Sequence, residues 1–175
     1  MGSYSKADLT FEGKSSILNL HPSICSKGIA IFEGHDLTYD SKDWSRLRGI
    51  VSPTVKINYA SVNDFKDDAL PADAYVAMMS DPKFLGDPLI HTQHLMGAAK
   101  YHKVAPGLIE GHHQIRAAHQ RYTGSDKKDV EAKGHGHAVI KLTYREVDGD
   151  WKWGGITTDI RWNEYEFDKV FKFHP

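Results

Sequence analysis

The chain has 175 residues, with 22 Lys and Arg against 23 Asp and Glu and a formal net charge of −1. That length suits one ordinary domain with a substantial core and excludes two sizeable ones. The balanced charge leaves no footprint for nucleic acid, and the single cysteine, Cys25, excludes an internal disulfide or a multi-cysteine zinc site. Histidine is the unusual component, at 11 residues. It titrates near neutrality, ligates metals and transfers protons, so composition leaves a metal role and an acid–base role both open.

The N-terminus has no apolar core of a secretory signal, and no apolar run approaches the ~20 residues of a membrane span. An intracellular protein, cytoplasmic or vesicle-associated, is expected. Gly2 is followed by Lys6 where N-myristoylation wants Ser or Thr. Residues 1–35 read as mixed loop and broken helix, because Ile17, Leu18 and Leu20 begin an apolar face that Pro22 interrupts. Asp40-Ser41-Lys42-Asp43-Trp44 offers a helix cap, with Trp44, Leu47 and Val51 on one face and Gly49 and Pro53 ending the helix. Residues 54–60 alternate Val55, Ile57 and Tyr59 against Lys56 and Asn58, which predicts a half-buried strand with Tyr59 on its apolar side. Pro71 suits the first residue of a second helix running through Tyr75 and Met78 to Met79, and 82–88 is a turn-rich connector.

Four strand-like runs follow, near 89–104, 108–122, 132–147 and 150–161. Ala105-Pro106-Gly107 separates the first two, and Asp148-Gly149 is a strong hairpin signal. A short helix over 164–171 closes the chain, with Phe167 and Phe171 at i, i+4. Helices followed by a long meander predict an α+β fold, with helices packed on one side of a curved antiparallel sheet.

Period-2 sorting separates the histidines. His94 shares a face with Ile90, Thr92 and Met96, while His91 lies opposite. His113 shares a face with Ile115 and Ala117, with His119 further along it. Gly136, Ala138 and Ile140 form a small apolar face, which turns His135 and His137 outward toward a subunit contact. His135 and His137 have the spacing of a metal pair, but no third ligand of convincing spacing accompanies them. His94 and His113 are the pair most mixed with apolar neighbours. The Trp151/Trp153 and Met78-Met79 pairs read most simply as packing.

Several of these segments resemble fungal scytalone dehydratases. The resemblance is carried by Tyr39-Asp40-Ser41-Lys42-Asp43-Trp44-Ser45-Arg46-Leu47-Arg48, Ile57-Asn58-Tyr59, Leu85-Gly86-Asp87-Pro88 and Thr92-Gln93-His94. It continues in His113-Gln114-Ile115-Arg116, His119-Gln120-Arg121-Tyr122, Lys133-Gly134-His135-Gly136-His137, Asp159-Ile160-Arg161-Trp162 and Phe167-Asp168. It implies a cone-shaped α+β barrel of the nuclear-transport-factor-2-like kind, a homotrimer, and no metal or organic cofactor. The implied activity is elimination of water from a reduced aromatic polyketide. The implied catalytic set is Tyr39, Tyr59, Asp40, His94 and His113. His94 would transfer the proton, His113 would assist under the influence of Asp40, and the tyrosines would stabilise enolate charge. Val62, Met78, Phe84, Ala138, Ile140, Phe167 and Phe171 would contact the substrate.

Two departures stand out. The family pattern has a serine and an asparagine where this chain has Ala138 and Ile140, and a phenylalanine where it has Val62. A roomier, more apolar pocket follows, better suited to an anthrone or hydroanthraquinone precursor than to scytalone. Secondly, residues 1–38 do not resemble the family's apolar N-terminal helix. Either the cap over the 39–175 domain is rebuilt, or the segment is an intron read through from a start encoding Gly13-Lys14-Ser15. A related isomerase or cyclase acting on a polyketide, and a non-catalytic ligand-binding module, are the competing functions.

Overall fold

A computed structural model describes residues 38–172. The expectations for the N-terminal segment, including its broken helix, its cap, Pro22, Cys25 and the Gly13-Lys14-Ser15 reading, lie outside the described residues. Residues 38–41 are helical. Helix α1 (Trp44–Ile50) starts at Asp43, whose carboxylate accepts the Arg46 N–H at 2.9 Å, so the cap written in the sequence forms. Its buried residue is Leu47, and the chain passes directly into strand β1 (Val51–Tyr59). Val55 and Ile57 of β1 are each 1% exposed, as the alternation predicts. The strand begins three residues before the expected Thr54. Pro53 is accommodated because the ladder to the neighbouring strand is interrupted between Val51 and Lys56.

A short helix, α2 (Ala60–Asn63), leads to strand β2 (Phe65–Pro71), which pairs antiparallel with β1. The sequence does not announce β2. Lys66, Asp67 and Asp68 mark it as an edge strand, where exposed charge protects an open rim. Helix α3 (Ala72–Met79) follows, with Pro71 in the capping position rather than inside the helix. Its buried side chains include Tyr75, 0% exposed, and Met79, 2% exposed.

Strands β3 (Ile90–Ala105), β4 (Leu108–Tyr122), β5 (Val130–Val147) and β6 (Asp150–Tyr165) form the expected meander. Asp148 and Gly149 both adopt positive φ, 52° and 82°, as a tight hairpin between right-twisted strands requires. The spatial order is β2-β1-β6-β5-β4-β3. One expectation is corrected here: β1 and β6 run parallel, so the sheet is mixed rather than antiparallel. Helix α4 (Phe167–Val170) is shorter than the expected 164–171, because β6 keeps its ladder to β5 through His135↔Glu164 and Gly134↔Tyr165. Gly134 permits the close approach of α4, since a Cβ there would lie 2.4 Å from the Phe167 Cα.

The 80–89 loop is held from two sides. The Lys42 ammonium donates to the carbonyls of Leu85 and Asp87, at 2.5 and 2.6 Å. Arg121, 0% exposed, donates to the Asp87 carboxylate at 2.7 Å and to the Val170 carbonyl at 2.5 Å. Burial pushes the Asp87 carboxyl up, but the Leu89 N–H and the Arg121 guanidinium outweigh it and hold the group below the usual carboxylate range. Arg121 thus ties β4, the loop and the end of α4 together. Arg121→Met is expected to cost about 3 kcal/mol in urea unfolding, because Asp87 keeps its burial and loses its partner; a loss under about 0.5 kcal/mol would remove the network from the account of stability.

Candidate active site

Period-2 alternation turns one face of the long strands toward a common cavity of about 400 Å³. His94 enters from β3, and Ile115, Ala117 and His119 from β4. β5 contributes Gly136, Ala138 and Ile140, and β6 contributes Ile156, Thr158 and Ile160. Met78 and Met79 of α3 and Phe84 and Leu85 of the loop cover the opening. Val62 and Asn63 of α2, Phe167 of α4 and the following Phe171 complete the wall. Every position expected to contact substrate therefore lines the cavity.

Four of the expected polar groups lie close together. Tyr39 sits on the 38–41 helical segment and Tyr59 at the end of β1; both line the cavity. Asp40, next to Tyr39, points at β3 instead. Its carboxylate accepts the His94 backbone N–H at 3.0 Å and the His94 ring Nδ1–H at 2.8 Å. A carboxylate at Nδ1 fixes the tautomer, so Nε2 is the nitrogen left to meet a ligand. The Tyr39 and His94 rings are 5.7 Å apart.

The structure brings Tyr39, Asp40, Tyr59 and His94 together but not His113. His113 is buried against Tyr101, with ring centroids 5.4 Å apart, and does not line the cavity. Its expected place beside His94 is taken by His119, whose ring centroid is 5.7 Å from that of His94. The reason is register. His94 pairs with Ala117, two residues from His119 and four from His113, and four residues of strand span about 13 Å. The hairpin at 105–107 contained this information: counting back from Ala105↔Leu108 places residue 94 opposite 119, and two bulges shift it only to 117.

His119 bonds through Nδ1 to the Thr92 hydroxyl at 2.7 Å. Burial, then the nearby His94 and His135, push its pKa down to about 3, so its imidazole is neutral at physiological pH. Tyr75 was also missed as a site residue. It lies behind the tyrosine pair, and its hydroxyl bonds to those of Tyr39 and Tyr59. In the sequence it reads only as part of the second helix; the fold buries it, at 0% exposure, and shows where its hydroxyl points. Burial pushes Tyr59 up to about 12, so it stays a proton donor through neutral pH.

His135 and His137 lie on the outer face, each 3.4 Å from Glu164, and His137 stacks on Trp162. Among the described residues no group of three His, Cys, Asp or Glu is arranged to hold a metal ion. No described helix is long and apolar enough to cross a membrane.

A carboxylate–histidine pair and two tyrosine hydroxyls beside a largely apolar cavity are groups able to give and take protons. Their scaffold is the nuclear-transport-factor-2-like α+β fold. The solved structure of hexachlorocyclohexane dehydrochlorinase (LinA) Type2 superposes with a TM-score of 0.63 over 80% of this chain and 86% of that one. At 13% identity, that likeness concerns the fold. The family model described as scytalone dehydratase matches residues 21–174. Dehydratase AgnL8 of Paecilomyces divaricatus is 47% identical over 142 residues, 81% of this chain and 81% of that protein. Scytalone dehydratase arp1 of Aspergillus fumigatus is 46% identical over 155 residues, 89% of this chain and 91% of that protein. The chain belongs to the scytalone dehydratase family. It is a dehydratase, a hydro-lyase of fungal polyketide metabolism.

The buried neutral His119 ties stability to pH. The unfolded chain binds a proton near pH 6.5, and the folded chain only near pH 3. Between those values the unfolded state holds more protons, so stability falls as pH falls. Acidification from pH 6.5 to 4.5 is expected to cost up to about 2–3 kcal/mol through this group. His119→Gln is expected to flatten the dependence of melting temperature on pH; parallel curves for the two proteins would assign the acid sensitivity elsewhere.

Proposed function

We propose that this chain eliminates water from a reduced aromatic polyketide of the naphthalenone or hydroanthraquinone type, with His94 as the proton-transfer group. The observation that carries the reading is His94, paired with Asp40, on the wall of a largely apolar cavity. In the first step Nε2 of His94 takes the proton on the carbon beside the carbonyl, and Asp40 faces the imidazolium that forms. The carbonyl oxygen gains the electron pair as an enolate and receives hydrogen bonds from Tyr39 and Tyr59. In the second step the enolate re-forms the carbonyl and the β-carbon–oxygen bond breaks. The proton held by His94 leaves with the hydroxyl as water. Tautomerisation to an aromatic ring draws the reaction forward, so the balance is substrate to product plus one water. His119, rather than the expected His113, is the second histidine of this proposal, a neutral hydrogen-bonding group within reach of the leaving hydroxyl.

The walls argue for an anthrone-like or hydroanthraquinone substrate. Ala138 and Ile140 offer no hydrogen bond, and Val62, 39% exposed, widens the mouth beside Asn63. A wall of this kind favours apolar ring surface over a hydroxylated edge. The resemblance also supports a homotrimer, for which the exposed outer-face side chains Leu95 and Trp162 (53% and 56%) are suitable contact material.

Incubation of the purified chain with scytalone, other hydroxylated naphthalenones and hydroanthraquinone precursors, followed by mass analysis, tests the reading. Loss of water is expected with the larger substrates, and His94→Asn is expected to lower kcat by at least about 10²-fold. Turnover of scytalone at a rate matching the larger rings would refute the size argument. Product isomeric with substrate would establish the isomerase or cyclase instead.

A further inference from the structure

We propose that Tyr75 is a positioning residue: its buried hydroxyl joins those of Tyr39 and Tyr59 in one hydrogen-bonded row and holds both at the cavity wall. The inference rests on the dehydratase reading above, in which those two tyrosines bind the enolate.

Tyr75 does not line the cavity. It is 0% exposed on α3, with its ring 4.9 Å from that of Trp153. Packing alone would be met by phenylalanine, because a phenolic oxygen in an apolar core costs stability unless it is hydrogen-bonded. The oxygen is hydrogen-bonded, to Tyr39 and, at 3.3 Å, to Tyr59. Three hydroxyls carry three protons, and two contacts within the row consume two of them. One proton therefore points out of the row. Tyr75, with a single proton, donates to one of its two partners and accepts from the other.

Whichever of Tyr39 and Tyr59 accepts from Tyr75 keeps its own proton for another acceptor. A hydroxyl that accepts a bond is polarised into a stronger donor, so Tyr75 strengthens that tyrosine as well as orienting it. Burial raises both Tyr59 and Tyr75, which keeps the row protonated at neutral pH.

The test uses the full chain and two probes, 6-cyano-2-naphthol at a mildly alkaline pH where it is ionised, and its uncharged methyl ether. The unmodified chain is expected to prefer the naphthol by at least about tenfold. Tyr75→Phe is expected to weaken the naphthol about five- to tenfold and to leave the ether within about twofold. Equal weakening of both probes, or of neither, overturns the inference. A chain that shows no preference before mutation refutes the oxyanion-site reading itself, so the two failures are distinguishable. Should Tyr75→Phe not fold, 3-fluorotyrosine at position 75, a stronger donor of nearly equal size, is expected to tighten the naphthol selectively; no selective change overturns the inference equally.

Discussion

The Asp40 carboxylate is the contact on which both the fold and the chemistry turn. β3 is an edge strand, and an edge strand presents backbone N–H groups with no ladder partner. Asp40 takes one of these, at His94, and with the same group takes the Nδ1–H of the His94 ring. One carboxylate thereby fastens the 38–41 segment to the sheet rim, fixes the imidazole tautomer and sets the ring angle. The neighbouring Tyr39 is delivered to the cavity by the same attachment. Moving this segment would displace a hydroxyl, a carboxylate and, through it, a histidine together.

The attachment has a second anchor. Lys42 supplies it by reaching the carbonyls of Leu85 and Asp87, and Arg121 takes the Asp87 side chain from below. The loop so held carries Phe84 and Leu85, which close the cavity, and Arg121 also grips the carbonyl preceding Phe171. The motifs Tyr39-Asp40-Ser41-Lys42, Leu85-Gly86-Asp87-Pro88 and Gln120-Arg121-Tyr122 are thus parts of one physical device, though dispersed in sequence. Its result is a largely apolar cavity wall, against which a few hydrogen bonds carry more weight than they would in water.

Much of this was legible beforehand because it follows from local rules. Asp43 caps α1 as a side chain of its type does, Asp148-Gly149 turns as the dipeptide requires, and alternation placed Ala138, Ile140 and Tyr59 on the inner face. What alternation cannot supply is position along a strand. His113 and His119 share a face, and only the register of β3 on β4 decides which of them meets His94. β2 was illegible for a different reason: its charged edge residues carry no apolar period to read. Tyr75 reads in the sequence only as a helix residue; its hydroxyl acquires meaning only once α3 is laid against the ends of β1 and the 38–41 segment.

Two histidines 5.7 Å apart could both be proton shuttles, yet their surroundings differ. His94 faces a carboxylate, which offers a place for positive charge on the ring. His119 faces a threonine hydroxyl inside an apolar wall, and burial denies it that charge down to about pH 3. A group held neutral can orient a leaving hydroxyl without competing for the proton, whereas a group beside a carboxylate can take one and return it. Opposite environments for like residues are the usual way one site separates acid–base work from positioning. The same division governs the tyrosines: Tyr39 and Tyr59 touch the cavity, and Tyr75, sealed behind them, can influence a reaction only through them.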